Sequence, residues 1–156
     1  WRDTAHRLGF CVHLVTTVPG GYKSRDPGLT DNRLIATLQA LQSLPARALC
    51  AVTDTYDVVA QREAHEFVDE WLLRVESQGF TLCLNAEDSP GDCWAIREEV
   101  ASVDCTLSKG RASYVNGGFC AGRVEVLMEM LEWSLHNTPR GRVSDQVGFG
   151  LFMKTR

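Results

Sequence analysis

The most constraining feature of this sequence is the alternation of short apolar runs of strand length with longer segments of helical apolar spacing. The clearest runs of strand length are Leu8 to Val15, Ala48 to Val52 and Phe80 to Leu84. Nearly continuous apolar runs of this length are typical of strands buried on both faces of a parallel sheet. The alternation therefore predicts an α/β fold with a mostly parallel central sheet flanked by helices, in which ligands bind at the carboxyl ends of the strands.

Helical spacing of apolar residues and local capping signals predict the helices. The first has Thr30 or Asp31 as its N-cap, carries Leu34, Ile35, Leu38 and Leu41 on one helical face, and stops before Pro45. The others are a segment from Ala64 to Val75 that is closed by Gly79, a short helix near Ala95 to Val100, a segment from Val124 to Leu135 that closes near Asn137 and Pro139, and a short helix from Asp145 to Phe152. Between them, Asn116-Gly117-Gly118 is predicted to belong to a strand or a hairpin.

Length and charge exclude several classes of protein. A chain of 156 residues suits one domain, 1–156, and its net charge of −4 without a basic stripe argues against a nucleic-acid partner. No apolar run approaches the roughly 18 residues needed to span a bilayer, so membrane insertion is not expected. Because the chain starts at Trp1 and stops abruptly after Leu151-Phe-Met, we expect a fragment of a longer chain, truncated at its C-terminus.

The six cysteines show no C-x-x-C spacing, which argues against a zinc site or a thioredoxin-like site. Four of them lie in apolar runs and are predicted to be small buried hydrophobes, namely Cys11, Cys50, Cys83 and Cys120. The other two, Cys93 and Cys105, flank a polar stretch, where a disulfide and two free thiols are both open alternatives.

Familiar catalytic and nucleotide-binding motifs are missing. The sequence has no G-x-G-x-x-G, no phosphate-binding G-x-x-x-x-G-K-[ST] and no G-x-S-x-G elbow. The pair His65-Glu66 lacks the second histidine of a zinc protease, so His65 is predicted to lie on a helix surface.

The best candidate site is formed by Asp54 and Asp57, three residues apart after the strand that ends at Val52. Hard carboxylate oxygens at the carboxyl end of a strand suit Mg²⁺ or Mn²⁺, which usually complete their coordination shell with water and substrate phosphates. The alternative is that both residues serve as turn and N-cap residues for the next helix. Likewise, Asn116-Gly117 could be only a turn and Ser144-Asp145-Gln146 only a helix cap.

Four stretches follow one another along the chain: Thr53-Asp-Thr-Tyr-Asp-Val-Val59, Ala86-Glu87 with Cys93-Trp94, Tyr114-Val-Asn-Gly-Gly-Phe-Cys-Ala-Gly122, and Asp145-Gln146. In this order they resemble the glycosyltransferase domain of the procollagen lysyl hydroxylase family. The family patterns are TD-x-YDVV, AE-x-x-CWP, YLNSGGF-x-G and DDDQ, and the resemblance spans roughly residues 46 to 150. It implies a GT-A-type fold, a Rossmann-type sandwich with a mostly parallel sheet.

The resemblance also implies roles for individual residues. Asp54 and Asp57 would bind Mn²⁺, or Mg²⁺, at the diphosphate of a UDP-sugar, and Asp145 and Asn116 would be the catalytic residues beside the donor sugar and the acceptor hydroxyl. The remaining donor-binding residues would be Tyr56 against uracil, Trp94 on a loop over the sugar nucleotide, and Thr16, Gly117, Gly118 and Gln146.

The expected function is transfer of glucose or galactose from UDP-glucose or UDP-galactose to a hydroxyl acceptor, with hydroxylysine-linked sugar on a collagen-like protein as the family's example. The resemblance and the six cysteines point to the secretory pathway, in the lumen of the endoplasmic reticulum or Golgi. Ser144 stands where the family has a further aspartate before Asp145. This departure leaves open a degenerate, non-catalytic domain that acts as a scaffold or nucleotide-binding module.

Overall fold

A computed structural model describes residues 2–15, 28–54, 60–87, 114–138 and 145–155 of the chain. The helices in these ranges are α1 (Arg2–Arg7), α2 (Gly28–Gln42), α3 (Ala64–Arg74), α4 (Val124–Asn137) and α5 (Asp145–Lys154), with a 3-10 turn at Glu76–Gln78. The strands are β1 (Leu49–Thr53), β2 (Leu82–Glu87) and β3 (Tyr114–Arg123).

The three strands form one sheet in the order β1-β3-β2, and both pairings are antiparallel. Strand β3 is therefore central, with Leu49 opposite Arg123 and Thr53 opposite Phe119 on the β1 side. On the β2 side, Leu84 lies opposite Cys120, whereas the next residue, Asn85, lies opposite Asn116. The three β3 residues 117–119 consequently bulge out of the pairing with β2.

The predicted parallel sheet of a Rossmann-type, GT-A-like sandwich is wrong, because every strand pair in the described sheet is antiparallel. The predicted first strand, Leu8 to Val15, is also wrong: it begins in a turn at Leu8 and Gly9 and continues without strand pairing. Gly9 has a φ of +84°, which a residue other than glycine rarely adopts, and this turn directs Phe10 onto Phe67, with ring centroids 6.3 Å apart. Apolar content alone did not reveal that this run packs beside a helix.

The other predicted strands are confirmed with shifted ends, as β1 and β2. The stretch Asn116-Gly117-Gly118 lies inside the continuous strand β3, so its hairpin alternative is wrong. A hairpin would place strands on both sides of the two glycines, whereas here the glycines accommodate the bulge in a single strand.

Four of the predicted helices are confirmed. Helix α2 begins at Gly28, before the predicted caps Thr30 and Asp31, and it ends ahead of Pro45. The chain leaves the α3 region through Gly79, whose φ of +81° is typical of a glycine that ends a helix. The predicted helix near residues 95–100 lies outside the described residues, as do Cys93 and Cys105.

The hydrophobic core lies where α2, α4 and α5 pack against β3. Its buried members are Leu34, Leu41, Val115, Cys120, Val124, Leu127, Met130, Leu131, Phe149 and Phe152. Leu34 and Leu41 recur at helical spacing on α2, and Leu127 and Leu131 do so on α4, so each helix presents one apolar face to the core. Gly148 allows α5 to approach α4 closely, since a Cβ at this position would lie 2.9 Å from the Cβ of Ser134.

The cysteine prediction is confirmed only in part. Cys120 is 2% exposed, and burial raises the pKa of its thiol to about 12. Cys50 is half-buried, whereas Cys11 and Cys83 are exposed, so the prediction of a buried position is wrong for these two. His65 is exposed on α3, as predicted.

Candidate functional site

Six of the predicted site residues lie in the described part of the chain, and the structure brings all six into one cluster. The six are Asp54, Asn116, Gly117, Gly118, Asp145 and Gln146. The predictions for Thr16, Tyr56, Asp57 and Trp94 fall on residues outside the described ranges.

Asp54 follows directly after β1 and continues its pairing with β3. Its backbone N–H donates to the carbonyl oxygen of Gly118 at 2.9 Å, so the residue is held beside the bulge. A Cβ at Gly118 would lie 3.4 Å from Asp54 Oδ2. The closer approach is to Asn116, because the same Cβ would lie only 2.8 Å from Asn116 Oδ1, so glycine at position 118 is required by the Asn116 side chain.

Asp145 approaches the same bulge from the first residue of α5. Its Oδ1 accepts a hydrogen bond from the backbone N–H of Gln146 at 2.9 Å, a favourable arrangement because helix N-termini attract negative charge. A Cβ at Gly117 would lie only 2.7 Å from this Oδ1 and 3.1 Å from the Cγ of Gln146. Glycine at position 117 is therefore what allows the start of α5 to contact β3.

Asn116 has a backbone-directed role in this structure. Its Oδ1 accepts a hydrogen bond from the backbone N–H of Gly118 at 2.7 Å, which folds the strand into its bulge. Asparagine commonly makes this bond to the N–H two residues ahead. Asn116, which was predicted to be catalytic, thus shapes the bulge of β3 beside Asp54 and Asp145.

Arg33 on α2 joins these elements, and no local signal in the chain indicated its role. Its Nη2 lies 3.1 Å from Asp54 Oδ1, 3.3 Å from Asp145 Oδ2 and 2.9 Å from the carbonyl oxygen of Gly117. The side chain of Arg33 is 27% exposed, that of Asp54 24% and that of Asp145 11%. A single guanidinium nitrogen therefore contacts groups from β1, β3 and α5 in a partly buried position.

We call Arg33, Asp54, Asp145 and the Gly117 carbonyl the ionic junction. Its two carboxylates and one guanidinium carry a summed charge of −1. Removing a single member of such a partly buried group is costly, because the remaining charges lose their partners. The ionic junction therefore links α2, β3, α5 and the residue that follows β1. It also brings three charged side chains together at one place.

The oxygen atoms of the ionic junction suit a divalent cation by their chemistry. Carboxylate oxygens are the preferred ligands of Mg²⁺ and are well suited to Mn²⁺, and two carboxylates from distant parts of the chain already converge on one positive group. Within the described ranges, however, no three histidine, cysteine or acidic side chains are grouped as metal ligands. Of the two predicted metal ligands, Asp54 is the one in the described ranges, and its carboxylate suits the predicted cation by its chemistry.

The described residues make up a small α/β protein with an antiparallel sheet and an ionic junction at the bulge of its central strand. Comparisons with protein-family models, with curated proteins and with solved structures found no match to this chain. Across the described helices, none has the length and apolar character needed to cross a membrane. A functional argument therefore depends on the motifs and on the geometry of the ionic junction.

Proposed function

We propose that this chain is a metal-dependent glycosyltransferase domain that transfers a hexose from UDP-glucose or UDP-galactose to a hydroxyl acceptor. One observation carries the proposal: three motif segments that are far apart in the sequence meet at one place. Asp54, the stretch 116–118 and Asp145 are all linked through short contacts at the β3 bulge. The motifs were selected from sequence alone, so their convergence is independent support for a shared site.

The residues present allow a division of roles. Asp54 would hold the cation, and Asp145 would orient or deprotonate the acceptor hydroxyl as a nearby carboxylate. The divalent ion, when bound, stabilises the negative charge that develops on the leaving UDP. The bulge held by Asn116 would fix the distance between the two carboxylates, so most of the rate enhancement would come from positioning and electrostatics.

The finer features of this proposal come from the motif resemblance. They are an acceptor hydroxyl on a collagen-like protein, a lumenal location in the secretory pathway, and further donor contacts from Tyr56, Asp57 and Trp94. Each extends the proposal beyond the ionic junction, and each is tested only after donor binding has been measured.

A second candidate is a non-catalytic scaffold or nucleotide-binding module of the same ancestry. A specific observation favours it: Arg33 is already ion-paired with both carboxylates of the ionic junction. Ser144 in place of an expected aspartate agrees with a loss of activity. In that case the ionic junction would serve only to tie α2 and α5 to the sheet.

The decisive experiment is calorimetric titration of UDP, UDP-glucose and UDP-galactose into the protein, first with Mn²⁺ and then with EDTA. We expect metal-dependent binding that weakens at least about tenfold, roughly 1.4 kcal/mol, in Asp54→Asn, which removes the charge but keeps the shape. The matched control is Asp69→Asn, because Asp69 is an exposed aspartate on α3.

Circular dichroism on the same samples separates a lost site from a lost fold. A folded wild-type protein that binds none of the three ligands would refute the transferase proposal and favour the scaffold. Binding that is equally strong in EDTA would refute the role given to the cation.

A further inference from the structure

The position of the Arg33 guanidinium suggests a role beyond structural linkage. Its Nη2 lies within 3.3 Å of one oxygen from each carboxylate of the ionic junction and 2.9 Å from the Gly117 carbonyl. One guanidinium nitrogen carries two hydrogens, so it cannot donate a full hydrogen bond to three acceptors. Charge attraction therefore accounts for part of what holds Arg33 there.

We propose that Arg33 is an internal counter-cation that competes with the divalent metal ion for Asp54. This inference rests on the proposed function, because the competing ion is the cation assigned to Asp54 there. In the absence of metal, Arg33 keeps the two carboxylates together. When the metal binds, the guanidinium leaves the ionic junction.

The charge balance supports competition. Two carboxylates and Arg33 sum to −1, whereas two carboxylates and one divalent ion sum to zero. With both cations present the sum is +1, and the two positive groups would lie within a few ångströms of each other in a partly buried site, where screening by water is weak. Exchange of one cation for the other is therefore favoured over joint occupancy.

The location of Arg33 on its helix makes the exchange feasible. The neighbouring residue Leu34 is 6% exposed and anchors α2 in the core, whereas the Arg33 side chain is 27% exposed. A long arginine side chain can carry its charged end to solvent while its aliphatic part stays on the protein surface. Exchange thus needs a change of side-chain conformation at Arg33 and leaves the helix in place.

The test is direct titration of Mn²⁺ without nucleotide, following free Mn²⁺ by electron paramagnetic resonance. We expect Arg33→Gln to bind Mn²⁺ at least about tenfold more tightly than the wild type, because its competitor has been removed. The matched control is Arg123→Gln, which removes a second partly buried arginine with the same change in charge. Arg123 pairs with Glu76 and lies six residues along β3 from Gly117, about 20 Å away, so its loss should leave Mn²⁺ affinity unchanged.

A second measurement on the wild-type protein decides the question if Arg33→Gln does not fold. The side-chain Nε–H signal of Arg33, assigned by its loss in Arg33→Lys, should shift and lose protection from solvent exchange as diamagnetic Mg²⁺ is added. An unchanged Arg33 signal while Mg²⁺ binds would overturn the proposal.

The outcomes also separate this inference from the proposed function. If wild type and Arg33→Gln bind Mn²⁺ equally, or if the variant binds more weakly, competition is refuted while the metal site stands. If neither protein binds Mn²⁺ in the presence or absence of UDP, the proposed function and this inference fail together.

Discussion

Replacement of Gly117 by alanine tests whether the start of α5 really contacts β3. The new Cβ would lie 2.7 Å from Asp145 Oδ1 and 3.0 Å from its Cγ, which is closer than packed atoms tolerate. Asp145 cannot simply turn away, since its carboxylate is held by the Gln146 N–H and by Arg33. Overpacking of this kind costs about 1–3 kcal/mol, and the short contacts place Gly117→Ala near 2 kcal/mol.

The assay is thermal and urea unfolding of Gly117→Ala in three backgrounds. In the wild-type background, a cost of about 2 kcal/mol corresponds to a fall in Tm of about 4–8 °C for a chain of this size. In the Asp145→Ala background, the two closest atoms are gone and only Gln146 Cγ at 3.1 Å remains, so most of the cost should disappear, giving a coupling energy of at least about 1 kcal/mol. In the Asp145→Asn background, the shape is kept, so the full cost should remain.

This comparison separates a steric effect from an electrostatic one, because Asp145→Asn removes the charge without removing the clash. Additivity of Gly117→Ala and Asp145→Ala within about 0.5 kcal/mol would refute the contact. The same result would also weaken the assignment of Asp145 to the ionic junction, because both rest on the same approach of α5 to the bulge.

Two further predictions concern titration and thiol reactivity. The pKa of the Glu76 carboxyl is lowered, chiefly by its hydrogen bond from Arg123, so the stabilisation from this pair should be present at neutral pH and lost as the pH falls through the lowered pKa. The urea midpoint should therefore fall less between pH 7 and pH 3 in Glu76→Gln than in the wild type. An equal fall in both proteins would contradict the stabilising role of the Glu76 carboxylate. Burial raises the pKa of the Cys120 thiol to about 12 and also raises the pKa of the Cys83 thiol, whereas Cys11 is exposed, so at pH 8 iodoacetamide should label Cys11 fastest in the native protein. Cys120 should react only after unfolding, which mass spectrometry of the digested protein can check.

Local signals in the sequence were sufficient to find most of the elements and most of the described candidate residues. Asp54 stands out because an acidic residue directly follows an apolar strand, whereas Asp145 was selected through the motif resemblance, since its local signal indicates only the start of a short helix. Local signals depend only on residues that are neighbours in the chain, so they can be interpreted without the tertiary structure.

Features that depend on distant contacts were not predicted. Apolar runs indicate strands but do not encode the direction of their partners, so the parallel sheet was an error of pairing. The run from Leu8 to Val15 had the length and composition of a strand, yet the turn at Gly9 takes it along α3. In the sequence, nothing distinguishes Arg33 from the other arginines. Its guanidinium lies between two carboxylates only because α2 packs in the core.

The order of the strands in the sheet has a consequence for how the chain acquires its structure. In the described sheet, β1 and β2 each pair only with β3, although β3 comes last in the sequence. A growing polypeptide would therefore carry β1 and β2 unpaired until β3 has been synthesised, and the span from Thr53 to Phe119 must close before β1 gains its partner. Exposed strand edges invite association between chains, so the interval before β3 arrives is when a nascent chain of this protein most needs protection by a chaperone.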